Sequence, residues 1–449
     1  LFPYTTLFRS VGVLDTADLN KLTSDQVGAI STDALRGITT TQMSVLGTSQ
    51  LAAMSTKQVS LLSTSNVASL GTSQAAALTS DQVASLTTAQ ARALLAAGVG
   101  VLNSDQLAAI STANVAVLTS DQLVALTTGQ MSNVSTDQLA ALTATQAVAI
   151  ETADLAKLSI GQLGAMSTVG AAALTNAQIA ALTTTQIGKL SEEQMGAINS
   201  VGLTALQISA LSTAQISALT TQQLSSLSTS QIGSLGTDDM KALNEEQIAS
   251  LTNKQVSALS TQQVSALFAM QSLGFSTSQV QNISTRAIAA LTTEYLKKLD
   301  ENAMVALSAM QVKALTSTQL NGLTDENFQA IESGDIASIS ATTLATVSTS
   351  KINRLTSAQV SALTTAQVKA MVADQVAALR TDQVAVMKSD QLPALDASDL
   401  ESFTTAQLVA LSSAQLGALT TAQLARLSDR QVQAIESADM PGLTTSQVV

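Results

Sequence analysis

Five short stretches of this 449-residue chain carry two carboxylates three residues apart: Asp15 with Asp18, Glu151 with Asp154, Glu332 with Asp335, Asp396 with Asp399, and Glu436 with Asp439. Paired hard oxygen ligands suit a cation of calcium's class, and paired carboxylates are also what general acid–base catalysis uses. The simpler expectation is structural. An acid at a helix N-cap and a second at the third helical residue are both stabilised by unpaired N–H groups and by the positive end of the helix dipole. On that reading the pairs are acidic capping boxes and hold no metal. The glycine-rich nonapeptides of calcium-binding β-rolls are absent.

Other chemistry has little to stand on. The chain has no His, Cys or Trp, which removes imidazole bases, thiolate nucleophiles, disulfides and thiolate metal sites. Nucleophilic catalysis would have to rest on Ser or Thr beside a Lys. Those hydroxyls recur so regularly that such neighbours arise by chance. No glycine loop suited to phosphate is present, so the sequence predicts no enzyme, no catalytic residue and no cofactor. The net charge of −12 repels phosphate backbones and anionic membrane surfaces. No apolar run reaches the roughly 18 residues needed to span a bilayer. No nucleic-acid binding and no membrane insertion are expected, and a protein partner would be of unknown identity.

What positions these residues is a repeat. An aliphatic residue, here slot 0, recurs every eight residues from Leu14 to Leu206, skips to Leu211, and recurs again to Leu443. Slot 1 is Thr or Ser, slot 4 is Gln, slot 5 is Val, Ile, Leu or Met, and slots 6 and 7 are mostly small. Leu363–Ala370, LTTAQVKA, shows the unit undisguised. A hydroxyl cap with Gln three residues later is a capping box, and slot 0 packed on slot 5 is a hydrophobic staple. The spacing predicts a helix start every eight residues.

The charges discriminate against the alternatives. Of the 32 carboxylates, 31 occupy slots 1 to 4; Glu401 alone does not. Lys and Arg gather in slots 6 and 7, as at Lys21, Lys157, Lys189, Lys297, Lys298, Arg354 and Arg426. Helix dipoles sort charges this way, at about 0.3–1 kcal/mol each, and a β-coil has no reason to. A single continuous helix fails too, because eight residues overshoot two turns by about 80° and smear the apolar stripe. The fold expected is all-α, a solenoid of short helices of six or seven residues, one per octad. Helices this short are unstable alone, so stability must come from stacking. The period of eight does not specify how many helices make one superhelical turn.

Several places break the pattern. Between Leu206 and Leu211 the spacing is five, where two neighbouring helices are expected to fuse. Leu94–Val101, Met166–Ala173 and Leu267–Gly274 depart from the consensus, the last with Phe268 at slot 1 and Ser272 at slot 5. Pro393 and Pro441 both fall at slot 6, where a helix needs an N–H. The first ten residues, LFPYTTLFRS, resemble a translated sequencing adapter and are taken as a non-native scar, so the natural start is expected to lie outside this sequence. Residues 11–449 are expected to form one solenoid with a phase break at 206–211.

The unit L-T/S-x-x-Q-V/I/L-x-A resembles the Thr- and Gln-rich octapeptide tracts of very large bacterial surface and secreted proteins, often adhesin-like. The resemblance implies a spacer or stalk in an extracellular or cell-surface protein. The alternative is a helical-repeat scaffold that binds a protein or peptide. No site residue is carried over by the resemblance.

Overall fold

The computed structural model describes residues 11–270, 275–435 and 439–448, with the side chain of Met270 excepted. The N-terminal decapeptide, Ser272 and Glu436 therefore lie outside the described residues. Every regular element among those described is helical. The α-helices are four to six residues long, slightly shorter than expected, with one ten-residue exception at Thr261–Met270.

One octad shows why. In the helix Thr136–Ala140 the chain enters through Ser135, whose hydroxyl accepts the N–H of Gln138. The N–H of Leu142, the next slot 0, bonds back to Leu139 O at 3.3 Å. Slot 0 itself then adopts an extended conformation, as at Leu46 with φ −60° and ψ 130°. Each helix is thus ended by its following aliphatic residue turning inward, with no left-handed residue anywhere among those described. Ordinary helices commonly end on a left-handed glycine; this array does not need one.

The helices gather in two compact units, one ending at Leu227 and the other beginning at Ser228. Both follow one rule: a helix packs on the helix three further along. In the first unit Ser24–Gly28 packs on Thr48–Ala52, and Ala144–Ala149 on Thr168–Ala173. In the second, Ser333–Ile336 packs on Ser357–Ala362. Hydrogen bonds between coils join residues 25 to 31 apart, or 23 across the five-residue unit where Ser200 Oγ donates to Gln223 O, so each turn of either solenoid takes between three and four helices. Slots 0 and 5 line the interior as anticipated: Leu139, Ile179, Val280 and Leu344 are wholly buried. Small residues at slot 6 let coils approach. A Cβ on Gly100 would stand 2.6 Å from the carbonyl oxygen of Ala125, one coil on.

The phase break lies elsewhere than expected. Leu206 is 71% exposed and belongs to no spine, whereas Leu203 is 3% exposed and Thr204 caps the helix Ala205–Ile208. Leu203–Ala210, LTALQISA, is a regular octad, and the five-residue unit is Ile198–Gly202, reduced to the 3₁₀ turn Ser200–Gly202. No fusion occurs there because Thr204 restarts the helix. Fusion occurs instead at Thr261–Met270, where Phe268 stands at the capping slot. Phe268 is wholly buried, with its ring 5.6 Å from Phe275 and 6.5 Å from Tyr295, so an aromatic cluster replaces the local cap. The two prolines are explained in the same terms. Lacking an N–H at slot 6, Pro393 and Pro441 each sit in a single 3₁₀ turn, Leu392–Ala394 and Met440–Gly442, in place of an α-helix.

Deleting the whole octad Leu411–Ala418 restores the slot pattern on both sides, and the melting temperature measured by circular dichroism should shift by only a few degrees. Removing Ala414–Gly417 alone deletes Gln415 and Leu416 and should abolish the cooperative transition of the second unit. Equal melting for the two deletions would show that the octad is not the folding unit.

Candidate functional site

Chemistry in this array concentrates at slot 4, a polar position that is buried in nearly every octad. Gln138 illustrates it. Its Oε1 accepts the N–H of Ser135 at 2.9 Å, while Ser135 Oγ accepts the N–H of Gln138 at 3.2 Å, completing the expected capping box. The other end of the amide was not foreseen. Nε2 donates to the carbonyls of Leu107 and Ile110, 31 and 28 residues earlier, both at 2.7 Å. In the second unit Gln367 holds Thr364 N–H at 2.8 Å and donates to Ile336 and Ile339 at 2.8 Å each.

This geometry joins two sets of orphans. The cap N–H is left over at a helix start and the slot 0 carbonyl at a helix end, while the slot 5 carbonyl, which already holds the slot 0 N–H as Leu107 O holds that of Ile110 at 3.1 Å, takes the amide as a second donor. A primary amide, with one acceptor and two donors, is the neutral side chain able to serve both. Sequence periodicity showed the local half of this arrangement, because cap and Gln are three residues apart. The other half depends on the number of helices per coil, which the period does not contain.

The phase break confirms that the ladder follows space rather than sequence count. After the five-residue unit, Gln207 donates to Ile179 and Leu182, and Gln215 to Ile187 and Leu190, at separations of 28 and 25 in place of 31 and 28. The three missing residues are absorbed and the same carbonyl slots are reached. Shorter amides also serve: Asn114 Nδ2 donates to Leu86 O at 2.8 Å, and Asn327 to Leu296 and Leu299 at 3.2 and 3.1 Å. At Lys351 an ammonium takes the role. Its Nζ donates to Leu323 O at 2.7 Å and to Asp325 at 2.8 Å, and Arg354 pairs with the same carboxylate at 2.9 Å. The Lys351 hydrogen bond holds the Asp325 carboxyl below the usual carboxylate range.

The acid pairs fare differently from one another. Asp15 caps its helix, accepting the N–H of Asp18 at 2.8 Å, and Asp18 pairs with Lys21 at 3.3 Å. At Glu151/Asp154, Glu332/Asp335 and Asp396/Asp399 the expected acidic capping box is not formed. The slot 1 side chain makes no capping bond at any of the three. The backbone closes these starts instead, with Asp154, Asp335 and Asp399 N–H bonding the carbonyl three residues back at 3.0, 2.9 and 3.0 Å. Burial raises the Asp335 and Asp399 carboxyls above their ordinary value, and the neighbouring Glu332 and Asp396 charges add to it. Asp439 accepts from Ser413 Oγ at 2.8 Å. Among the described residues no three acidic groups converge into a metal cluster. A cavity of about 30 Å³ beside Val99, Leu123 and Met131 is apolar and has room for about one water molecule.

The ALTTAQ repeat, a known protein family, matches residues 11–48, 56–88, 99–136, 147–184, 232–269, 328–365 and 392–429, together more than half of the chain. Comparison with curated proteins returns no match.

Replacing Gln138 by Leu keeps the volume and leaves the Ser135 N–H and the Ile110 carbonyl unanswered, while the Leu107 carbonyl keeps only the Ile110 N–H. Each buried group left unsatisfied costs about 1–3 kcal/mol, so thermal denaturation should show the first unit destabilised by at least that amount. A change under about 0.5 kcal/mol would remove the amide from its central role. A second expectation concerns pH. A raised folded-state pKa means the folded chain binds the proton more tightly, so Asp335 and Asp399 cost nothing well below 3.8, and their penalty grows as pH rises through that value towards the raised one. In divalent-free buffer Asp335→Asn and Asp399→Asn should therefore stabilise the protein at pH 7 and leave it nearly unchanged at pH 3, as read by melting temperature.

Proposed function

The chain belongs to the ALTTAQ repeat family, and on that footing we propose that it is a structural spacer, the repeat region of an extracellular or cell-surface, adhesin-like bacterial protein, with no catalytic role. The observation that carries this reading is the use made of slot 4. The recurring slot 4 amide spends both of its ends on the protein itself, binding each coil to its neighbour. The absence of His and Cys from the sequence and the net charge of −12 support a role without catalysis or nucleic-acid binding. Among the described residues no helix is long and apolar enough to cross a membrane. Solenoid energetics support it as well, since nearest-neighbour stacking lets repeats be added without redesign.

A spacer has two measurable properties. Recombinant arrays lengthened by whole coils should gain a constant increment in maximum dimension per coil by small-angle scattering. In the native cell, antibody raised against the array should label intact cells. Labelling only after permeabilisation would overturn the surface assignment, and a dimension that saturates with added coils would overturn the spacer itself.

A further inference from the structure

Two octads depart from the consensus in the same way. Leu94–Val101 and Met166–Ala173 both put glycine at slot 4, Gly98 and Gly170, and so give up the amide. They stand nine octads apart, three steps of the rule that packs each helix on the third along. Accordingly the helices Ala96–Val99, Ser120–Val124, Ala144–Ala149 and Thr168–Ala173 pack each on the next, forming one column of the first unit. The two aberrant octads are its ends.

The outward side of this column is aliphatic. With slots 4 and 5 turned inward, slots 3 and 6 are the outermost of each helix, and being three residues apart they lie on one side of it. Leu95, Val101, Val124, Val148 and Val169 are each between 41% and 62% exposed, and together they run along all four helices. Large apolar side chains scattered singly are ordinary on a surface, whereas a row of them marks a contact surface. Charge is withdrawn from the same place. Asp121 is the single charged residue of the four octads, in a chain with 32 carboxylates and a net charge of −12. Two copies of so acidic a chain repel one another, and they approach at least cost where charge is missing.

We propose that this column is a self-association surface, on which a second copy of the chain docks antiparallel about a two-fold axis. A two-fold contact matches a surface with itself. With the axis lying across the column, the first helix of one copy meets the fourth of the other and the second meets the third, so Asp121 faces the uncharged helix Ala144–Ala149 of the second copy. Parallel docking would instead bring the two Asp121 carboxylates onto the same pair of helices. Four helices about 9 Å long and about 9 Å apart offer on the order of 300 Å² on each copy, about 600 Å² in all. That is about half of what the smallest stable interfaces bury, so the dimer is weak and forms at high concentration.

The inference is independent of the spacer reading, and its test uses the full chain. In sedimentation velocity from micromolar to millimolar protein, the average mass should climb from 45.9 kDa towards twice that value. It should climb more readily in molar sodium chloride, which screens the mutual charge. Val124→Gln/Val148→Gln removes apolar contact without changing the net charge. Slot 6 already holds Gln329 and Gln433, so the variant should fold, with an unaltered melting curve by circular dichroism. Its dimerisation should be at least tenfold weaker. Because the chain has no Cys, Val124→Cys and Val148→Cys each carry a single thiol. Mixed and oxidised, they should give the mixed disulfide in excess of both homodimers. A monomer mass at every concentration and salt, or undiminished association of the glutamine variant, would overturn the proposal and leave the row to a partner other than this chain. Homodimers in excess would overturn the antiparallel arrangement.

Discussion

A helix of four to six residues leaves nearly all its backbone polar groups without intrahelical partners, and burying dozens of such ends is the central difficulty of this fold. The slot 4 glutamine resolves it by being two-ended. Its oxygen takes the N–H that the start of its own helix cannot place, and its nitrogen supplies the slot 0 carbonyl that a helix end one coil earlier cannot place, together with a second donor for the slot 5 carbonyl. The aliphatic residues at slots 0 and 5 supply most of the burial, but burial alone favours any collapsed arrangement. The amide requires one arrangement, because its donor must find slots 5 and 0 of the preceding coil.

That division explains what was legible in the sequence. Everything confined to one octad could be read: the capping hydroxyl, the slot 4 acceptor, the staple of slot 0 on slot 5, and the sorting of charge towards helix ends. All follow from contacts three to five residues long. What could not be read spans a coil. The Nε2 bonds at 28 and 31 residues involve two ordinary backbone carbonyls that carry no side-chain signature. The break was misplaced for a related reason. Leu206 and Leu203 are both leucine, and counting in eights from the N-terminus selects the former, while only burial and the Thr204 cap select the latter. Three of the acid pairs do not form the expected caps, because spacing alone does not show that the slot 1 side chain makes no capping bond at Glu151, Glu332 and Asp396.

A donor at slot 4 is frequent but not obligatory, since alanine or glycine holds the slot at Ala34, Gly98, Gly170, Ala287 and Ala303. Asparagine, lysine and glutamine all donate towards the coil before, and differ in length, charge and flexibility. What they share is a donor. The N-terminal half of the role is less demanding: at Gly47, Val372 and Arg380 the cap residue makes no side-chain capping bond, yet Gln50, Gln375 and Gln383 still accept the cap N–H at 2.7, 3.1 and 2.7 Å. Loss of a capping hydroxyl typically costs about 1 kcal/mol. Loss of the amide strands two groups at once, the cap N–H and the slot 0 carbonyl, and takes a second donor from the slot 5 carbonyl.

The same logic makes the array tolerant of length change and intolerant of misplaced charge. Because each amide looks back to the preceding coil and each pair of carbonyls waits for the next, an octad added anywhere finds donors and acceptors already facing it. Even the five-residue unit Ile198–Gly202 is accommodated, since Gln207 and Gln215 reach the same carbonyl slots at shorter separation. A carboxylate at slot 4 is the substitution that this scheme cannot absorb by re-registering, for no shift along the coil turns an acceptor into a donor. It can take the cap N–H, as Asp239 takes that of Gly236 at 2.9 Å, but an ionised carboxyl has nothing to donate to the preceding coil. The positions where the ladder is chemically incomplete are therefore the positions where the surrounding solution can act on the stability of the fold.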